Sequence, residues 1–432
     1  MKCRCGSRNG RGVRPVMAGR TRAFLPAVLL AVAAALLSFP RGAAAAEHPP
    51  RPARNMEKAW KEALAKPPLA VTAVFDGKGR LWRASVEGRH VYVSVSDDMG
   101  RSFGSPVPVN TDPEDILGDG ENRPKIVVAR NGHIYISYTQ ALSKPMSGNI
   151  RFSRSVDAGK NFSPPITVND NLDVISHRFD ALGVDDRGRI VVVWLDKRDS
   201  AATEKRGEKY KGTSLYAAIS DDGGASFEPN FKLADHACEC CRVAIATDPD
   251  GTPVVLWRQI FGKNVRDHAM MRLDGRSRII RASHDNWEID ACPHHGPALS
   301  IGKDGVRHFS WFTAAGGRPG IFYARTADGG ETISPAVRFG RPEAQASRPQ
   351  VLGLGDLVVV AWKELEGEAG VVRVAFSRDR GKTWSDPQTA ASTSGASDYP
   401  MLIASGREAF VSWNTAAEGY RLIPLAHGAE CD

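Results

Sequence analysis

The stretch "SDDGGASF" (Ser220–Phe227) decides the fold, because close copies of it recur along the chain. They are "SDDMGRSF" (Ser96–Phe103), "SVDAGKNF" (Ser155–Phe162) and "SRDRGKTW" (Ser377–Trp384). "TADGGETI" at Thr326 has lost the aromatic residue, and "SHDNW" at Ser283 is truncated. Each copy has the chemistry of a tight turn. Ser and Asp side chains bond nearby backbone N–H groups, Gly supplies a positive φ, and the aromatic residue pins the turn onto its own sheet.

A second series precedes these turns, in which a Gly- or Asp-containing corner leads into a strand that ends in an aromatic residue. It runs "ARNGHIYISY", "DDRGRIVVVW", "DPDGTPVVLW", "GKDGVRHFSW", "GLGDLVVVAW" and "ASGREAFVSW", which places Tyr138, Trp194, Trp257, Trp311, Trp362 and Trp413 at matching positions. "FDGKGRLWRA" is a weaker first copy. Such corners between alternating or β-branched runs are hairpin signals. A period of about 50 residues, with about four short strands per copy, predicts the blades of an all-β propeller. The blades fall near 68–110, 122–170, 176–235, 238–289, 292–340, 346–392 and 397–428, the last with three strands.

These turns resemble the Asp-box, or bacterial neuraminidase repeat, of the sialidase superfamily, and the resemblance covers nearly all of residues 68–428. It implies a sialidase-like β-propeller. Sialidases have six blades, whereas the corner series counts seven, so seven is the favoured number and six the alternative. The Asp-box also occurs in propellers without catalytic activity, so it implies architecture rather than chemistry.

The ends of the chain bear on compartment and charge. Residues 1–46 join a basic stretch, the apolar run Phe24–Phe39 and Ala44-Ala45-Ala46, the pattern of a secretory signal cleaved near Ala46. Met17 is the more typical start of such a segment. The expected location is periplasmic or secreted, with no membrane span in the mature form. That segment holds eight Lys and Arg and no acid, so removing it takes Lys+Arg from 57 to 49, equal to the 49 Asp+Glu. A neutral mature chain argues against a nucleic-acid partner. Residues 47–67 read as a Pro-rich lead and a short helix with Met56, Trp60 and Leu64 on one face, and 429–432 as a tail.

In a propeller, the connections into the first strand of each blade converge on the face where the central funnel opens. Those positions hold Arg123, Arg178, Arg242, His295, Arg348 and Tyr399. Guanidinium groups offer a planar fork to carboxylate or phosphate, so the four arginines form a candidate anion site for a small acidic ligand. Repeat-consensus arginines that bond neighbouring backbone carbonyls are the plainer reading. The resemblance to sialidases implies an arginine clamp on a substrate carboxylate, with Arg348 as the last arginine and Tyr399 as the nucleophile. Arg178 and Arg242 would complete the clamp. No acid/base Asp or partner Glu is assigned by motif, and Asp115, Asp119 and Glu121 form the one acidic cluster in a suitable loop.

"HACECCR" leads into the fourth blade and "ACPHHGP" into the fifth, so the two are expected on the same face. They gather Cys238, Cys240, Cys241 and Cys292 with His236, His294 and His295, and thiolate with imidazole suits copper or zinc. His268, Met270 and Met271 in "DHAMMRL" add soft donors, although a Met pair in a strand is more often core. A disulfide from Cys292 to Cys240 or Cys241 is the competing reading in an oxidising compartment, and packed free thiols a third. The mature cysteines, Cys431 included, are odd in number. Three functions follow. The leading one is an exported propeller with a Cys/His metal site that binds or handles copper. A sialidase-type hydrolase of an acidic sugar and a non-catalytic protein-interaction scaffold are the alternatives.

Overall fold

The computed structural model describes residues 56–425, apart from Ser277 and Cys292. The predicted signal segment, the start of the lead, Cys431 and the 429–432 tail lie outside the described residues.

The described strands form antiparallel sheets in chain order. The first contains Val71–Phe75, Leu81–Glu87, His90–Ser96 and Val107–Pro108. The second is built on Lys125–Val128, Ile134–Ala141, Gly148–Ser155 and Ile166–Thr167, with Ile116–Leu117 added at its edge. An eight-stranded sheet then joins two units. One begins at His177–Val184 and ends at Phe231–Ala237; the other begins at Ala244–Thr247 and includes Pro253–Phe261 and Val265–Arg272. A single pair, Ala237 with Gln259, connects the two. Units beginning at Ala298–Ile301, Ser347–Leu354 and Met401–Ser405 follow, the last with three strands.

The first strand of each unit lies against the first strand of the next, and that of the last unit lies against Val71–Phe75. The hydrophobic clusters follow the same circuit. Trp82 packs with Tyr138, Tyr135 with Trp194, Leu195 with Trp257, and Met270 with Trp311. Ala73 and Leu81 meet Ile403 and Phe410 where the last unit returns to the first. The predicted aromatic positions are the interior of this arrangement: Tyr138, Trp194, Trp257, Trp311, Trp362 and Trp413 are each no more than 2% exposed. The corners have the expected chemistry too. Asp185 Oδ1 accepts the N–H groups of Arg187 and Arg189, and Gly188 closes the turn at φ 81°.

The Ser-x-Asp-x-Gly turns differ from expectation in one respect. Ser220 Oγ donates to Asp222 Oδ1 and accepts the Gly224 N–H, both at 2.8 Å, while Asp222 accepts the Ser226 N–H at 3.0 Å. The aromatic residue, however, pins the turn to the preceding unit rather than to its own. Phe227 meets Phe152 edge-on at 5.0 Å, Trp384 meets Tyr323 at 4.7 Å, and Phe103 meets Tyr420 at 5.6 Å. A Cβ on Gly224 would lie 2.6 Å from the Phe152 ring, and one on Gly159 equally close to Trp82. Glycine at this place thus serves both the positive φ and the close approach of the neighbouring sheet.

The predicted helix spans Met56–Ala65. It docks through Trp60, 9% exposed, against Leu117 and Ala141, with Leu64 beside them. No described helix is long and apolar enough to cross a membrane.

Candidate functional site

The loop Gly118–Pro124, which leads into the second unit, meets the connections into the fourth, sixth and seventh units. Glu121, only 3% exposed, is the centre of the group. Its Oε2 accepts the Arg242 backbone N–H at 2.9 Å, and its Oε1 accepts Nη1 of both Arg242 and Arg348 at 3.0 Å. Arg348 lies over the Tyr399 ring at 4.0 Å. Two glycines allow this approach. A Cβ on Gly120 would fall 2.3 Å from the Tyr399 ring, and one on Gly296 would strike the backbone of Arg242. Burial raises the Tyr399 hydroxyl to about 12, opposed by Arg348 and assisted by Glu121 and Asp119. Tyr399 lines both a central cavity of about 310 Å³, shared with Glu121, Arg123, Lys125 and Arg242, and a cavity at the mouth bounded by Trp60 and Asp119.

The other two arginines are committed elsewhere. Arg123 donates to Asp398 Oδ1 at 2.7 Å, to the Val71 carbonyl at 2.8 Å and to the Gly120 carbonyl at 3.2 Å, while Asp398 accepts the Val71 N–H at 3.0 Å. It fastens the second and seventh units to the first. Arg178 packs between Phe179 and Trp60 of the helix, with Nη1 3.7 Å from the Met146 sulfur and a buried Nε that has no partner among the described residues. Burial lowers its pKa, against the opposing charges of Asp119 and Cys240. Of the acids, Asp119 caps its own loop through the Glu121 and Asn122 N–H groups, and Asp115 pairs with Arg89 at the surface.

The turn after Ala237 brings three sulfurs together. Cys238, Cys240 and Cys241 are all buried, and their Sγ atoms lie within 4.8 Å of one another, a group that could hold a metal ion. The Cys238 and Cys241 sulfurs are 3.7 Å apart. A disulfide requires ~2.05 Å, whereas sulfurs ~2.3 Å from a tetrahedral ion stand ~3.8 Å apart. Arg266 Nη1 donates to Cys238 Sγ at 3.2 Å, and the Cys238 N–H donates to the Arg258 carbonyl at 2.8 Å. Hydrogen bonds from the Cys240 and Cys241 thiols, with the charges of Arg258 and Arg266, hold the Cys238 thiol well below its ordinary range despite burial. Burial pushes Cys241 the other way.

The histidines stand apart from that group. His295 lies tilted against Phe312 at 4.2 Å, and burial together with Arg348, Arg258 and Arg242 pushes it down to about 2, so it is neutral. His294 is exposed at φ 52°. His236 bonds the Lys211 carbonyl and leans on Tyr210. Among the described residues the three cysteines alone make up the cluster, and Cys292 lies outside the described residues. His268 is fully buried against Ser283 and Trp311, while Met270 and Met271 point to opposite faces of their strand and pack in separate cores.

Sequence reasoning missed Arg258 and Arg266. Arg258 follows the strand-ending tryptophan in "VVLWRQI", where the third and fifth copies have Leu195 and Phe312 but the first and sixth also have a basic residue, Arg83 and Lys363, so the signal is weak. Arg266 gives none, since a basic residue in a hairpin is ordinary.

No protein-family model matches the chain, and no curated protein matches it in sequence. Among solved structures it is similar to a polysaccharide lyase of family PL25, an ulvan lyase, with a TM-score of 0.52 and 10% identity over 84% of this chain and 93% of that one. It is also similar to a protein of unknown function from Dyadobacter fermentans, with a TM-score of 0.50 and 15% identity over 72% of this chain and 96% of that one. The NanB sialidase of Streptococcus pneumoniae is a looser match, at a TM-score of 0.46 and 11% identity over 80% of this chain and 82% of that one. Together with the circuit of first strands, the first two likenesses show a propeller-type, all-β fold, and they leave the chemistry to the residues themselves.

Proposed function

We propose that this chain is an exported, seven-bladed propeller of the sialidase-like Asp-box type that binds a thiophilic metal ion, copper before zinc, through Cys238, Cys240 and Cys241. The observation that carries the reading is the sulfur triangle, with one edge of 3.7 Å and all three atoms within 4.8 Å inside a buried turn. Three thiolates prefer soft ions. A further ligand would come from Cys292, which lies outside the described residues, or from a movement of His294 or His295, which stand apart from the sulfurs. The blade number is supported by the contact circuit that returns to Val71–Phe75, and the export by the predicted signal segment. The test is metal analysis of protein purified under reducing conditions and then offered Cu(I) or Zn(II) anaerobically. Near-stoichiometric metal is expected, with loss in Cys240→Ser/Cys241→Ser. Metal-free protein whose thiols are intact and titratable would end the reading.

A second reading, hydrolysis of an acidic sugar, is favoured by the position of Glu121 and Asp119 beside Tyr399, which supplies the acids that the sequence did not assign. A tyrosine held near 12 is protonated at neutral pH, and Glu121 is already engaged by two arginines, so the reading requires substrate to displace those contacts. Release of the fluorophore from a fluorogenic sialoside, abolished in Tyr399→Phe, would support it. Absence of turnover across acidic-sugar substrates would remove it.

A further inference from the structure

We infer that Arg258 and Arg266 are the built-in counter-charges of the sulfur triangle, and that they select a monovalent ion, Cu(I), over divalent Zn(II). The inference rests on the metal-site reading above. Arg258 lies in Pro253–Phe261, a strand whose first eight residues are all buried, and is itself 1% exposed. Its hydrogen bonds go to neutral carbonyls: Nη1 to Arg266 at 3.0 Å, Nη2 to Phe312 at 2.8 Å and to His295 at 3.2 Å. Nε is buried and has no partner among the described residues, and the Trp287 ring lies 5.2 Å from the guanidinium carbon. A buried cation with only neutral acceptors is costly unless a negative charge stands nearby.

Among the described residues no acid hydrogen-bonds the Arg258 guanidinium, although Asp285 feels its charge. Asp267 is held by Arg281 and by the Asn286 and Trp287 N–H groups, and Asp285 accepts the Trp311 indole N–H. The sulfur triangle is what adjoins this pair of arginines. Cys238 donates its N–H to the Arg258 carbonyl, and Arg266 Nη1 reaches Cys238 Sγ at 3.2 Å.

Charge then separates the candidate ions. Binding releases the thiol protons to solvent and leaves the oxidation state of the ion unchanged. Three thiolates with Cu(I) carry two negative charges, which two guanidinium groups neutralise. The same thiolates with Zn(II) carry one, so each guanidinium faces half the opposing charge. Removing one guanidinium therefore weakens Cu(I) binding more than Zn(II) binding.

The experiment measures Cu(I) affinity by competition with bicinchoninate and Zn(II) affinity by competition with a chromophoric chelator. Both are measured on the full chain and on Arg258→Met, Arg258→Lys and Arg266→Met, with near-ultraviolet circular dichroism as the check on folding. Arg258→Met and Arg266→Met are each expected to lower the Cu(I)-to-Zn(II) affinity ratio by about tenfold or more, and Arg258→Lys to retain it. If Arg258→Met does not fold, Arg266→Met and the Lys variant decide. An unchanged ratio in the folded Met variants overturns the selection while leaving the metal site standing. A wild-type chain that binds neither ion removes the metal site itself.

Discussion

Glu121 accepts Arg348 Nη1 at 3.0 Å although 227 positions separate them, and the same oxygen accepts Arg242. One buried carboxylate therefore holds together two guanidinium groups from different sheets. Glu121→Gln removes the negative charge and leaves both arginines facing an amide. Loss of one partner from a buried ion pair costs about 3–5 kcal/mol. The melting temperature should fall, and added sulfate should restore part of the loss in the variant and do little for the wild type. Equal melting curves with and without sulfate in both proteins would mean that Glu121 is not the neutralising group.

Asp398 is buried and joins Arg123 to the Val71 backbone, and burial pushes its carboxyl above the ordinary range even though Arg123 opposes the shift. Asp398→Asn is expected to cost about 3–5 kcal/mol in urea unfolding, by stranding Arg123. An Arg123→Met/Asp398→Leu double variant should cost clearly less than the two single losses combined. Additive losses would count against the pair.

Gly224 sits at φ 85° with the Phe152 ring of the preceding sheet where its Cβ would be. Gly224→Ala meets both an unfavourable backbone conformation and a clash, and should destabilise by about 1–3 kcal/mol. Gly79, also at positive φ but with open space around it, should lose less on the same substitution. Equal losses at the two sites would place the whole effect in the backbone.

Asp98 and Asp157 are held down to about 2 by the hydroxyl or amide side chain and the backbone N–H at Ser102 and Asn161, respectively, and by Ser96 and Ser155. Asp222, Asp328 and Asp379 are lowered by the same contacts. The folded-state pKa lies below the unfolded one, so the stabilisation is complete above the unfolded value of ~3.9 and fades as pH falls toward the folded value. Between those limits the wild type should lose stability more steeply with falling pH than Asp98→Asn/Asp157→Asn. Parallel curves from pH 5 to pH 2 would show that the turns do not contribute.

The architecture was legible because it is periodic. Corners, tryptophans and turns recur at blade spacing, and each owes its residue types to local chemistry. What the turn aromatic touches was not legible, since Phe227 and Phe152 are neighbours only after two sheets have packed. The mouth was legible in part. Placing Arg242, Arg348 and Tyr399 on one face followed from topology, and the structure does bring them together. Topology fixes where a Cα goes, however, and not where a long side chain turns. Arg123 and Arg178 therefore share the address but not the environment: one closes an ion pair and the other lies under Trp60. For the thiols, proximity within one short turn was readable from Cys-x-Cys-Cys, while Arg266, whose Nη1 reaches Cys238 Sγ, lies in a hairpin where a basic residue carries no signal.

Because Asp398 takes the Val71 N–H across 327 positions, the chain cannot finish folding until its last sheet exists. Contacts so distant in sequence make for slow folding. During synthesis the earlier sheets must wait as an open arc, with the Val71–Phe75 flank and its apolar residues uncovered. That interval is when the chain is most prone to pair with another copy of itself. Its yield on refolding should therefore depend on concentration more than its final stability does.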